Sequence, residues 1–373
     1  MNEKDHNSND QHQTHAIQNL QGIIPFTRLR WKKVLLFLGS LVLFFFALEL
    51  MKAGAKSMHT LTRGLRDIQG PLKGLGLGWF SSYLTLSGSP VAAIALALFD
   101  AETIDRITTF SMIVGSRLGG SLVVIFIGLL YLLQGHQRGT SLLTGILSFI
   151  VTGLIYVPAV PIGFLLLDFL QFKVPFATHW NGVQGSVING LMDPILGFIV
   201  ANLPAWIVFP LGVLCTVISL NLIDRSLPEL DLEDNIFGEV SNLLYRPAIS
   251  FLLGFGFTLL TMSVSISLGL LVPLSVRGYI RRENIVPYIM GCNISTFIDT
   301  IIAGILLRNP AATNIVLIQI LSVLIVSILI LTLAFRTFQN MALTSALWLN
   351  EDRLRMLIFF SFLMLAPLLL ILL

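Results

Sequence analysis

Long apolar runs separated by short polar connections make up most of the chain. Three of the longest cover residues 34–47, 315–334 and 354–373. Together with its flanks, each run approaches the ~20 residues that a helix needs to cross the hydrocarbon layer of a bilayer. Lipid offers the backbone no hydrogen bonds, so such runs must form helices. About ten of them occur, and the pattern therefore predicts an all-α polytopic membrane protein.

The same order of helix-interrupting residues occurs twice. When the sequence is aligned with itself so that Pro71 falls on Pro247, other prolines, glycines and serines coincide without any gap. We call this alignment the repeat register. Matching interrupted apolar segments are typical of secondary transporters. We interpret the chain as a disordered polar tail (residues 1–27) followed by two transmembrane repeats (residues 28–202 and 203–373). Further coinciding pairs are Gly78 and Gly254, Ser87 and Ser263, Ser89 and Ser265, and Gly115 and Gly291.

The connections after the first span of each half carry opposite charge. Residues 56–68 form a basic amphipathic stretch, whereas residues 227–245 carry five acidic side chains. Basic residues are retained on the cytoplasmic side of a membrane, so we expect the two connections on opposite sides and the repeats in inverted topology. A basic cluster at residues 28–33 favours the opposite orientation of the first half, which leaves the absolute orientation open.

Each half contains two apolar elements that are interrupted. The first, at residues 72–100 and 248–276, breaks around its serines and is either a re-entrant hairpin or a broken span. The second, at residues 103–134 and 283–307, is expected to break near Gly115 and Gly291. Further spans are predicted at residues 141–158, 186–202, 311–335 and 354–373. The predicted fold class is therefore two inverted-topology repeats with re-entrant or broken helices at mid-membrane.

Polar side chains concentrate at these predicted breaks. Hydroxyl groups and backbone groups freed from a helix can surround an ion, and the N-terminus of a following half-helix can hold an anion. Alternatively, the serines bond to their own helix and the glycines allow close helix packing. The candidate substrate- or ion-binding residues in these patches are Thr85, Ser87, Ser89, Arg117, Ser121, Thr261, Ser263, Ser265, Ser267, Asn293, Ser295 and Thr296.

The segment from Pro71 through the first serine patch to the sequence Gly-Ser-Arg-Leu-Gly-Gly at residues 115–120 resembles the sodium–phosphate cotransporter family. That family has a Gln-Ser-Ser-Ser-type motif followed by a Gly-Ala-Asn-Ile-Gly-Thr-Thr-type motif, both repeated in the second half. The resemblance covers residues 34–373. It implies inverted repeats that bind sodium ions and phosphate, in a symporter of the cell membrane, specifically a bacterial inner membrane.

Several positions of the family motifs carry other residues in this chain. Leu86 and Met262 stand where the family has glutamine, and Gly88 replaces a serine. Arg117 stands at the asparagine position, whereas Asn293 is retained in the second half. Fewer oxygen ligands remain for a hard cation. The alternatives are therefore transport of a different anion without sodium coupling, and a non-transporting scaffold or sensor.

Arg117 places a guanidinium group inside an apolar segment. A charge near the middle of a membrane costs at least ~2.5 kcal/mol and needs a partner. Arg117 can bind an anionic substrate through its planar fork, or act as a tethered cation in place of a sodium ion. It can equally form a structural ion pair with Asp299, which lies just beyond the second-half patch and joins the candidate site residues.

Composition argues against several other classes of protein. Charged residues make up 12% of the chain and the net charge is +3, which favours the lipid bilayer as a partner and gives no support to nucleic-acid binding. A small anionic solute such as phosphate is the partner that the resemblance implies. Two cysteines and the lack of histidine in the predicted spans indicate neither a metal centre nor a catalytic base. We therefore expect no enzyme activity and no cofactor other than sodium ions.

Overall fold

The described part of the protein is built from helices. The computed structural model describes residues 31–58, 69–133, 138–170, 184–226, 247–264, 267–268, 271 and 282–373. Helix accounts for 92% of these residues, and they contain no strand. The predicted polar tail, most of both charged connections and Ser265 lie outside the described residues.

Thirteen α-helices have defined bounds within the described residues. They are α1 (Trp31–Met58), α2 (Pro71–Thr85), α3 (Gly88–Asp100), α4 (Arg106–Leu133), α5 (Arg138–Phe169), α6 (Gln184–Asn202), α7 (Ala205–Ser226), α8 (Pro247–Thr261), α9 (Arg282–Ser295), α10 (Ile298–Leu306), α11 (Pro310–Leu329), α12 (Phe335–Glu351) and α13 (Arg353–Leu372). A π-helical turn, Ile330–Ala334, joins α11 to α12 without a break.

Seven helical segments of the described chain are long and apolar enough to cross a membrane. They are α1, α4, α5, α7, α9 with α10, α11 with α12, and α13. The span predicted at residues 186–202 is represented only by the shorter apolar helix Met192–Asn202. The span predicted at residues 311–335 belongs to a longer segment, Pro310–Glu351. These helices are those of a polytopic membrane protein.

Helices α2 and α3 form a hairpin that lies along the first half of α4. Gly70, just before α2, donates its N–H to Thr108 Oγ1 in the first turn of α4 (2.9 Å), and only the short connection 101–105 separates α3 from α4. At the tip, a Cβ atom added to Gly88 would lie 2.6 Å from the carbonyl oxygen of Ser116. The hairpin therefore starts and ends beside the first turn of α4, and its tip reaches the middle of that helix.

The local structure of α2 occurs again in the second half. In the repeat register α8 has the same bounds as α2, and Leu86 and Met262, which follow the two helices, have left-handed φ angles of 50° and 49°. Thr85 and Thr261 each donate a hydrogen bond from the hydroxyl group to the carbonyl oxygen two residues ahead (2.8 and 3.2 Å). Residues other than glycine rarely adopt this backbone conformation, so α2 and α8 end in the same local structure.

Close helix packing is repeated in the same register. Gly78 of α2 lies against the carbonyl oxygen of Met112 in α4, and Gly254 of α8 lies against that of Tyr288 in α9. A Cβ atom at either glycine would clash with that oxygen. Small residues at such positions let two membrane helices approach closely. Gly78 therefore allows α2 to pack closely against α4, and Gly254 allows α8 to pack closely against α9.

Replacing Gly254 with alanine is expected to destabilise the protein by about 1–3 kcal/mol, because the added methyl group overpacks a rigid backbone contact. Gly256 offers a matched control in the same helix, since a Cβ atom there meets nothing within 4 Å. Alanine at Gly256 should be neutral or slightly stabilising, because alanine favours helix over glycine. Thermal unfolding of the two variants in detergent measures the difference. Equal stabilities would contradict the packing argument.

The predicted break of α4 near Gly115 is wrong, because α4 continues through it as a helix. Gly115 instead allows close packing, since a Cβ atom there would clash with the carbonyl oxygen of Leu75. In the second half a break occurs, but it lies at Thr296–Phe297, between α9 and α10. Gly291, where that break was predicted, packs against Phe251 in the same way.

The two halves share one core. Helix α5 of the first half packs against α4 and also against α9 and α11 of the second half. Helices α1 and α7, the first span of each half, pack against each other in antiparallel orientation: Gly54 lies against Phe209, and Gly212 lies against Met51. Burial of these apolar surfaces against one another fixes the relative position of the halves.

Polar contacts between the halves show the direction of the central helices. At one end, Asp100, the last residue of α3, forms an ion pair with Lys52 of α1 (2.5 Å) and accepts a hydrogen bond from Asn309, in the connection between α10 and α11 (2.7 Å). Further along α4, Arg117 donates to Thr300 of α10. Residue numbers rise along α4 as they fall along α10, so α4 and the α9–α10 pair run in opposite directions.

Candidate functional site

A cavity of ≈ 70 Å³ lies between the two halves, beside the tip of the α2–α3 hairpin. Its wall also includes the residues after α8, the middle of α4, the break between α9 and α10, and parts of α1, α5 and α7. One water molecule needs roughly 10–15 Å³ of such volume. The cavity therefore has room for several waters or for one small solute.

Most of the residues that sequence analysis selected come together at this cavity. The nine that line it are Thr85, Ser87, Ser89, Arg117, Ser121, Ser263, Asn293, Thr296 and Asp299. Three others, Thr261, Ser267 and Ser295, lie elsewhere, and Ser265 is outside the described residues. The patches from both halves thus contribute to one site.

Several of the selected hydroxyl groups bond within their own half. Ser121 donates to the carbonyl oxygen of Leu118 (2.6 Å), and Ser295 donates to that of Gly291 (3.3 Å), each within its own helix. The Ser267 hydroxyl accepts from Thr258 (2.7 Å) in a buried cluster away from the cavity. Ser121 and Ser295 therefore bond as the helix-bonding alternative describes, because a hydroxyl in an apolar helix finds its nearest acceptor one turn back.

The hairpin tip places the start of α3 in the cavity wall. Ser87 is the residue before α3 and makes no capping bond with its side chain, and the first turn of α3 carries no acidic residue. Gly88 and Ser89 complete this part of the wall. The first N–H groups of a helix have no partner within it, and they carry the positive end of the helix dipole. This end of α3 is therefore suited to a negatively charged group.

Arg117 extends from the middle of α4 to the break in the second half. Its guanidinium group donates to Thr296 Oγ1 (3.1 Å) and to Thr300 Oγ1 (2.5 Å). It also forms an ion pair with Asp299 (3.5 Å) and lies 4.8 Å from the centre of the Phe297 ring. The side chain is only 5% exposed. The predicted ion pair is present, and it lies in the wall of the cavity.

Asp299 lies in the first turn of α10 and is as deeply buried as its partner, with 6% of its side chain exposed. Its Oδ1 atom accepts a hydrogen bond from Thr300 Oγ1 (2.8 Å). A carboxylate at a helix N-terminus is stabilised by the helix dipole. Asp299 therefore has three favourable partners, namely a guanidinium group, a hydroxyl group and the start of α10.

Two lining residues of α5 were not selected from the sequence. Tyr156, fully buried, donates from its hydroxyl group to the carbonyl oxygen of Asn293 (2.9 Å), and Thr152 bonds to the amide of Asn293 (3.2 Å). At the break, the N–H of Phe297 bonds to the carbonyl oxygen of Ile294. The carbonyl oxygen of Asn293 is therefore left without a helical partner and accepts from Tyr156 instead. Their spacing of four residues on an apolar helix was the available signal.

Comparison of the chain with models of protein families, with curated proteins and with solved structures found no match. Among the described residues, no group of three or more histidine, cysteine, aspartate or glutamate side chains is arranged to hold a metal ion.

Proposed function

We propose that the protein is a secondary transporter of a small anion, phosphate by the resemblance of its motifs, in a cell membrane. The observation that carries the proposal is the cavity between the halves, lined by polar residues from the α2–α3 tip, the end of α8 and the break after α9. Transporters with repeated halves bind their substrate near the bilayer midplane, where interrupted helices of both repeats meet. The cavity lies beside interrupted helices of both halves, which supports the proposal.

Inverted topology of the two halves is part of this proposal. The antiparallel packing of α1 with α7 supports it, as do the opposite directions of α4 and the α9–α10 pair. The hairpin tip near the middle of α4 supports a re-entrant element. Rocking of one half against the other would then expose the cavity to each side of the membrane in turn.

The anion is placed between the start of α3 and Arg117. The free N–H groups at Gly88 and Ser89 and the hydroxyl group of Ser87 are donors that suit phosphate oxygens. Arg117 supplies the positive charge. The start of α10 is the weaker candidate, because Asp299 already places a carboxylate in its first turn.

Alanine at Ser87 or Ser89 removes a hydroxyl group from the cavity wall and is expected to reduce the affinity for phosphate about tenfold. A hydrogen bond to a charged group contributes ~1.5–3 kcal/mol, and about 1.4 kcal/mol corresponds to a factor of ten. Phosphate-dependent thermal stabilisation and uptake into proteoliposomes measure the effect. Ser322→Ala is the matched control, because Ser322 is buried but donates to Gln319 of its own helix, away from the cavity.

A wild-type protein that takes up no phosphate and is stabilised by no small inorganic or organic anion would overturn the proposal. That result would favour a scaffold or sensor that retains the fold. Serine variants that transport normally and lose only thermal stability would move the anion away from the start of α3.

A further inference from the structure

We infer that Arg117 is a tethered cation that occupies a monovalent-cation site, so that the protein binds its anion without sodium. The inference rests on the proposed function and names the charge that accompanies the anion. Arg117, a side chain of the first half, thereby occupies the place of an ion that the second half would otherwise bind.

The guanidinium group lies in a set of oxygen atoms that suits a cation. Thr296 and Thr300 offer hydroxyl oxygens at 3.1 and 2.5 Å, and Asp299 offers a carboxylate oxygen at 3.5 Å. Hydroxyl and carboxylate oxygens are the groups that hard cations bind. All three residues lie at or just after the break between α9 and α10, where the helix is open.

The two halves differ at these positions in a complementary way. In the repeat register the counterparts of Thr296, Asp299 and Thr300 are Gly120, Val123 and Val124, so the oxygen set exists only in the second half. The counterpart of Arg117 is Asn293, which bonds to Thr152 instead. The charged donor therefore comes from one half and its oxygen acceptors come from the other.

A sodium ion and the guanidinium group exclude each other at this place. Both need the same oxygen atoms, and two positive charges a few ångströms apart repel each other strongly in a buried site. While Arg117 is present, the oxygen set is already neutralised. Since Arg117 and Asp299 both line the cavity, removal of the arginine opens the set to a soluble cation.

Three variants test the assignment, with sodium or choline as the only monovalent cation. Sodium should stabilise Arg117→Asn thermally, relative to choline, in the absence of any anion. Anion affinity of Arg117→Asn should be at least tenfold higher in sodium, whereas the wild type should show equal affinity in both cations. Arg117→Lys keeps the charge and should behave as the wild type. Arg117→Asn with Asp299→Asn removes the carboxylate and should show no response to sodium.

Arg355→Asn is the matched control and should respond to neither cation. Arg355 lies at the start of α13 and is not among the residues that line the cavity. Sodium-dependent anion binding by the wild type, or an Arg117→Asn variant that sodium does not stabilise, would overturn the inference alone. If Arg117→Asn does not fold, a sodium-dependent Arg117→Lys variant overturns it and a sodium-independent one supports it. Absence of anion binding in every cation would overturn the proposed function and the inference with it.

Discussion

Replacing Asp299 with asparagine is expected to destabilise the protein by roughly 3–5 kcal/mol, because Arg117 is then left as a buried charge without its counter-ion. Both side chains are almost fully buried, and the carboxylate is 3.5 Å from the guanidinium group. The hydroxyl groups of Thr296 and Thr300 remain, but they neutralise no charge. Thermal or denaturant unfolding in detergent measures the loss.

The double variant Arg117→Asn with Asp299→Asn is the control for this effect. It removes both charges and should recover at least half of the stability that Asp299→Asn loses, since no uncompensated charge remains. Residues in direct contact show such coupling, whereas distant residues give additive changes. Additive losses in the double variant would mean that Arg117 reaches water and does not depend on Asp299.

Replacing Gly88 with valine is expected to lower the affinity for phosphate by at least a factor of ten, or about 1.4 kcal/mol. A Cβ atom at Gly88 would approach the carbonyl oxygen of Ser116 to 2.6 Å, so the hairpin tip must move away from α4. That movement turns the N–H groups at the start of α3 away from the cavity. Phosphate-dependent thermal stabilisation measures the affinity.

Gly39→Val in α1 is the matched control for Gly88→Val, because a Cβ atom at Gly39 meets nothing within 4 Å. It should leave phosphate affinity unchanged. The second half already carries Val264 at the position equivalent to Gly88, so the two halves are not interchangeable at this position. Unaltered affinity in Gly88→Val would indicate that the anion binds at another part of the cavity wall.

The spacing of apolar residues was sufficient to predict most of the helices, because length and hydropathy decide what crosses a bilayer. It also predicted an interruption around the serines of residues 72–100, where the structure has a turn at Leu86. It failed at Gly115, where a glycine in an apolar helix is compatible both with a break and with close packing. The neighbouring backbone decides between them, and the sequence does not show that the carbonyl oxygen of Leu75 lies there.

The candidate site was predictable to the extent that its residues interrupt helices. Ser87 and Thr296 occur at such interruptions, and Arg117 is conspicuous as a charge in an apolar run. Tyr156 neither interrupts a helix nor carries a charge. Its contact depends on a carbonyl group that is freed by a break in another helix. The sequence also offered Asp299 as a partner of Arg117, but only the fold shows that both side chains line one cavity.

A gene that encoded only one half could not have produced a single Arg117–Asp299 pair. Two identical half-length polypeptides, associated antiparallel as α1 and α7 are, would carry every residue twice. Arginine would then occupy positions 117 and 293, and aspartate positions 123 and 299, which would place two charge pairs beside one small cavity. A single polypeptide that carries both halves is free of that constraint, so it can combine Arg117 with Asn293 and Asp299 with Val123.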